Sequence, residues 1–148
     1  MTRCSLLAGL LLSPINTGAA HALGYGIEKV SHAKGKSVPH GTAVALVLPS
    51  VIRHNAPVVG EKYYYAAGVA GLNLAGKSRE AGIDAVANWI DELRRRYTPF
   101  GSLQASGLTE ADLPRMIEIG MEVSRLLDPN PVKVTESDAE RIYRSVME

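Results

Sequence analysis

Residues 42–52 read Thr42-Ala43-Val44-Ala45-Leu46-Val47-Leu48-Pro49-Ser50-Val51-Ile52, eleven positions that are almost wholly apolar. Their conformation decides the fold class. Periodicity alone cannot separate a buried strand from a buried helix in such a run, so the flanks must arbitrate. Pro39-His40-Gly41 stands before it and Arg53-His54-Asn55 after it. Pro39 suits the first turn of a helix, where its missing N–H costs nothing. The flanks favour a buried helix, with a bend expected at Pro49.

Downstream, residues 60–75 and 78–96 read as two further helices. The second places Ile83, Val86, Ala87, Ile90 and Leu93 on one face. Thr109-Glu110-Ala111-Asp112 and Thr135-Glu136-Ser137-Asp138 each set a hydroxyl three residues ahead of an acid, the signature of a capping box. They open helices expected at 109–127 and 135–147, separated by Asp128-Pro129-Asn130-Pro131. Upstream, Ala19, Ala20, Leu23 and Ile27 recur at spacings near three and four, so 17–29 reads as helix. Gly24 and Gly26 weaken it by roughly 1 kcal/mol each relative to Ala, unless a neighbour must come close. Residues 30–38 read as a polar loop. No segment alternates with period two for long, and none repeats. The chain reads as one all-α domain over 1–148, a bundle of about six to seven helices.

With 148 residues, 46% of them hydrophobic, one substantial core can form. Phe100, Trp89 and six tyrosines are the only aromatics, so that core must be aliphatic. The net charge is +1 and no basic stripe carries interleaved aromatics, which argues against nucleic acid as a partner. Arg94-Arg95-Arg96 reads as a solvated helix end. The single cysteine, Cys4, excludes an intramolecular disulfide and a multi-cysteine zinc site. The first residues are ambiguous. A basic start, the apolar stretch Cys4 to Leu12 and the run Ala20-His21-Ala22 match a signal peptide over 1–22. They match equally well an apolar helix from inside a larger bundle. Either way the stretch is too short to span a membrane, which needs about 20 residues.

Chemistry must come from four histidines, His21, His32, His40 and His54. His21 and Tyr25 are four apart and share a helix face. His40, between a proline and a glycine at the mouth of the buried helix, can reach inward. Imidazoles suit Fe²⁺ or Zn²⁺. His32, among Ser31, Lys34 and Lys36, reads as solvated, and His54 as closing a helix C-terminus. Lys77-Ser78 lacks the earlier glycine of a phosphate loop. Tyr63-Tyr64-Tyr65 reads as a half-buried helical turn, and Trp89 as a core or interface anchor.

The runs His21-Ala22-Leu23-Gly24-Tyr25, Pro39-His40-Gly41-Thr42-Ala43-Val44-Ala45 and Leu48-Pro49 resemble the signature of iron-containing alcohol dehydrogenases. In that family it reads His-Ala-Leu-Ala-His/Tyr, Pro-His-Gly-x-Ala-Asn-Ala and Leu-Leu-Pro. Leu6-Leu7-Ala8-Gly9, Asn16-Thr17-Gly18-Ala19-Ala20, Asn55-Ala56-Pro57, Asp112-Leu113-Pro114, Asp128-Pro129-Asn130-Pro131 and the Ile142-Tyr143 helix extend the likeness along the chain. The resemblance implies the helical C-terminal domain of a dehydroquinate-synthase-like fold. In the family that domain holds a divalent metal, usually iron and sometimes zinc, against a Rossmann-like domain that binds NAD or NADP. The metal polarises the oxygen of a small alcohol or aldehyde while hydride passes between substrate and nicotinamide.

Carried over, His21 and His40 correspond to the last two histidine ligands, and Tyr25 to a position close to the substrate. The family's aspartate and first histidine ligands have no counterpart in these 148 residues, and no glycine-rich βα turn is present to hold a nucleotide. The resemblance therefore implies a domain inactive as an isolated chain. Its implied partner is a separate nucleotide-binding half; apart from the resemblance, exposed apolar surface on Leu6, Leu7, Leu10 and Leu11 is expected to promote self-association. A cytoplasmic location follows, because cleavage after Ala22 would remove His21. The alternatives are a small exported helical binding protein and a helical interaction domain without metal. One departure stands out. The stretch between Tyr25 and Pro39 is longer and more polar than the family's short turn, and it is expected to bulge outward rather than displace His40.

Overall fold

A computed structural model describes residues 3, 6, 7, 9, 10 and 16–148. The elements, in chain order, are α1 (Ala19–Ala33), α2 (His40–Val69), α3 (Arg79–Tyr97), a 3-10 turn (Glu110–Asp112), α4 (Leu113–Met121), α5 (Ser124–Leu127) and α6 (Glu136–Arg144). No strand occurs among the described residues, so the apolar run at 42–52 is helix, as its flanks require. Of the N-terminal apolar stretch, Arg3, Leu6, Leu7, Gly9 and Leu10 are helical, and Leu6, Leu7 and Leu10 stand exposed. Cys4, Leu11 and Leu12 of that stretch lie outside the described residues.

Helix α1 buries Ala19, Ala20, Leu23, Ile27 and Val30, and its two glycines have the close neighbours that their cost demanded. A Cβ on Gly24 would come within 2.9 Å of Val44, where α2 crosses. A Cβ on Gly26 would meet both the Met116 carbonyl and the Tyr143 hydroxyl at 2.4 Å. The Tyr143 hydroxyl donates to the Leu23 carbonyl at 2.8 Å, pinning α6 to α1 through the core. Its burial pushes that hydroxyl's pKa up, so it remains a donor at all ordinary pH.

The loop expected at 30–38 is partly helix. Val30 and Ser31 are buried and α1 runs on to Ala33, ending in a left-handed Gly35. There the Lys36 N–H bonds the Ser31 carbonyl and the Gly35 N–H the His32 carbonyl, both at 2.9 Å, the Schellman pattern that Gly35 permits. Only Lys34–Ser37 is exposed connection.

Helix α2 keeps helical φ/ψ through Pro49. The bend lies instead at Val59, whose φ of −120° and ψ of 16° are not helical, two residues beyond Pro57. A proline removes one ladder hydrogen bond and pushes on the preceding turn, and here Pro57 rather than Pro49 marks the break. Two cores result. The larger gathers α1, the first half of α2, α4, α6 and Leu103 and Leu108 of the long loop. The smaller, Ile52, Ala67, Ile83, Val86 and Ala87, lies between α3 and residues of α2 on both sides of its bend.

Both capping boxes form as read, Thr109 with Asp112 and Thr135 with Asp138. Arg94 departs from the solvated end expected of its triplet. It is 4% exposed, and its guanidinium is satisfied by Asp91 and the Gly101 carbonyl. His54 does not close a helix either. It lies within α2 with its side chain 6% exposed, 3.8 Å from Asp138 of α6.

Candidate metal centre

His21 stands in the first turn of α1 and His40 opens α2, and their side chains meet where the two helices pack. Helix α1 has no side-chain cap of its own, because Gly18 precedes it. The Ala19 N–H instead donates to Asn130 Oδ1 at 3.1 Å, so a side chain from the Pro129–Pro131 loop caps the helix. Asn130 is itself held by a two-way amide pair with Asn55 of α2, at 2.8 and 3.1 Å. His21 therefore sits in the third position of a helix whose start is fixed by buried polar groups. His40 opens α2 directly after Pro39, whose extended ψ of 141° turns the chain into the helix.

The two rings converge. His21 Nδ1 lies 3.1 Å from His40 Nε2, with ring centroids 5.1 Å apart and a tilt of 47°. Tyr25, one turn beyond His21, sets its ring 5.0 Å from that of His40. His21 and Tyr25 line one cavity of about 310 Å³ together with Asn16, Thr17, Arg125 and Leu126. Burial, reinforced by the neighbouring His40, holds the His21 imidazole below the ordinary histidine pKa, which favours the neutral ring. The longer connection between Tyr25 and Pro39 does not separate the pair.

His32 is exposed at the end of α1 and takes no part. His54 lies fourteen residues beyond His40, roughly 21 Å along α2 at 1.5 Å per residue. Sequence reading missed Glu28, whose Oε2 is 2.8 Å from His40 Nδ1. The signal was present, for His21, Tyr25 and Glu28 follow the i, i+4, i+7 spacing of one helix face.

Two nitrogens bound to one ion at about 2.1 Å lie roughly 3.0–3.4 Å apart, depending on the coordination angle. The 3.1 Å separation of His21 and His40 falls in that range, so the pair fits as two adjacent ligands. It does not make a complete cage. Among the described residues no three His, Cys, Asp or Glu side chains gather to hold an ion.

The model of the Fe-containing alcohol dehydrogenase family, C-terminal, matches residues 1–147. The chain belongs to this family. The 1,3-propanediol dehydrogenase of Klebsiella pneumoniae is 31% identical over 147 residues, which cover 97% of this chain and 36% of that protein. The lactaldehyde reductase of Escherichia coli strain K12 is 27% identical, over 94% of this chain and 35% of that protein. A crystal structure of a 1,3-propanediol oxidoreductase superposes with a TM-score of 0.85 at 29% identity, covering 97% of this chain and 36% of that one. This member of the Fe-containing alcohol dehydrogenase family thus spans about a third of the length of the curated relatives it matches and corresponds to their helical C-terminal domain. The family implies a metal and a nicotinamide nucleotide in the full-length enzymes.

Proposed function

We propose that this chain forms the metal-binding wall of an NAD- or NADP-dependent oxidoreductase that interconverts a small alcohol and its aldehyde or ketone. His21 and His40 are two ligands of a divalent ion, Fe²⁺ by family and Zn²⁺ by equal ligand chemistry. Tyr25 lies beside the substrate. The observation that carries this reading is the 3.1 Å approach of His21 Nδ1 to His40 Nε2 at the edge of a cavity. A bound divalent ion supplies Lewis acidity toward an alcohol or carbonyl oxygen. The protein's own part is to hold the two imidazoles at coordinating distance and to keep His21 neutral, since only a free lone pair can bind a cation. Tyr25, with a hydroxyl that can donate and accept, orients the substrate oxygen at the cavity wall.

The remaining ligands, an aspartate and a histidine, come from a further helix, and the nucleotide site from a separate nucleotide-binding half facing the cavity. A reducing cytoplasmic setting suits both the single cysteine and a ferrous ion. The test is a calorimetric titration of the 148-residue protein with Zn²⁺, beside His21→Ala and His40→Ala. One weak site is expected in the parent and at least a tenfold loss in each variant, because two imidazoles leave most positions to water. Equal affinity in all three proteins would remove the basis for the assignment.

A further inference from the structure

His40 is contacted from both sides of its ring. Its Nε2 faces His21 Nδ1 at 3.1 Å, and its Nδ1 faces Glu28 Oε2 at 2.8 Å. The two nitrogens of an imidazole point in diverging directions, so Glu28 cannot share an ion with Nε2. It can only hold the ring. A carboxylate accepts hydrogen bonds and donates none, so the hydrogen between the two groups belongs to His40 Nδ1. In a neutral ring that leaves a lone pair on Nε2, directed toward His21.

We propose that Glu28 is a positioning residue that fixes His40 as its Nδ1–H tautomer and aims the Nε2 lone pair at the ion. The inference rests on the metal reading above and adds to it a residue on the stretch where this chain departs from its family's short turn. The continuation of α1 as far as Ala33 makes the contact available. A helix that ended soon after Tyr25 would have no helical position 28. With α1 running on and Gly35 closing it, the i, i+7 position from His21 comes beside the first residue of α2. Carboxylate partners of ligating histidines fix the tautomer and raise ligand basicity, and removing them typically weakens metal binding about 10–100-fold. Stability is not what the contact provides, because both side chains are more than a third exposed, at 39% and 38%, and such ion pairs contribute little.

The test compares the parent chain with Glu28→Gln, Glu28→Ala and His40→Ala. Long-range ¹H–¹⁵N correlation spectra of the histidine rings, recorded without metal, report the tautomer, and Zn²⁺ titration reports affinity. Circular dichroism confirms that helix content is unchanged. The parent should show His40 protonated at Nδ1. Glu28→Ala should shift His40 toward the Nε2–H form and weaken Zn²⁺ binding by about 10–100-fold. Glu28→Gln, which keeps an accepting oxygen, should retain the tautomer and fall between them. An unchanged tautomer and unchanged affinity in Glu28→Ala would overturn the assignment. If His40→Ala binds Zn²⁺ like the parent, the metal reading fails instead, and the metal-free spectra still decide whether Glu28 sets the tautomer.

Discussion

Glycine does opposite work at positions 26 and 41 of this chain. At Gly26 a methyl group would lie 2.4 Å from a backbone carbonyl and a buried tyrosine hydroxyl, and neither can retreat without opening the core. At Gly41, in the first turn of α2, nothing lies within 4 Å. Helix propensity would favour alanine at both by up to about 1 kcal/mol. Packing reverses that at the first. Gly26→Ala should lower stability in urea unfolding by about 1–3 kcal/mol, whereas Gly41→Ala should raise it by roughly 0.5–1 kcal/mol. Site residues were unevenly legible at this scale. The tyrosine and the two histidines stood in runs whose order resembles a family signature, so their pairing could be expected. Glu28 was legible only in part: its spacing puts it on the face of His21 and Tyr25, but a single glutamate on a helix reads as a solvated charge until its neighbour across the next helix is known.

Helix starts were legible where the cap is local and illegible where it is borrowed. Thr135 and Asp138 lie three apart in sequence, and their box forms as read. Thr135→Ala should cost about 1 kcal/mol. The box also sets an acid limit. Hydrogen bonds from Thr135, then from Arg141, hold the Asp138 carboxyl at a pKa of about 2, below its ordinary 3.8. The folded state thus binds fewer protons than the unfolded one between those values. The contribution of Asp138 is complete above the ordinary carboxylate pKa and is lost as pH falls from 3.8 toward 2. In Asp138→Asn the slope of stability against pH should flatten over that range, as measured by urea midpoints. By contrast, α1 is capped from Asn130, 111 residues away in sequence. Nothing local announces that contact. Asn130→Ala removes the acceptor of the Ala19 N–H and both Asn55 amide bonds to Asn130, and should cost about 1–3 kcal/mol. Exchange of the amide hydrogens at 19–22 should accelerate with it. The end of α1 was misread for a related reason: the polar composition of 30–38 hid the apolar step to Val30, although Gly35 stood where a helix terminator belongs.

For the molecule as a whole, the all-helical class followed from one apolar run and two capping boxes, while the kink at Val59 and the division into two cores did not. Two prolines lie in α2; the bend was expected at Pro49 and lies instead just beyond Pro57. The chain spans about a third of the length of the curated relatives it matches, and among the described residues two imidazoles converge without a full ligand set. The 148-residue polypeptide on its own should therefore show no alcohol-dependent reduction of NAD or NADP with any divalent metal added. Measurable turnover in a spectrophotometric assay would contradict that. The bend at Val59 has a consequence for how the protein comes apart. Beyond it, the hairpin formed by residues 60–97 rests on five buried side chains, one of them still in the first half of α2, while the histidines are anchored in the larger core. Partial opening is drawn from regions with few buried contacts. The hairpin should therefore detach reversibly well below the temperature of global melting, and the imidazole pair should outlast it, with the molecule shedding its outer arm before it loses its chemistry.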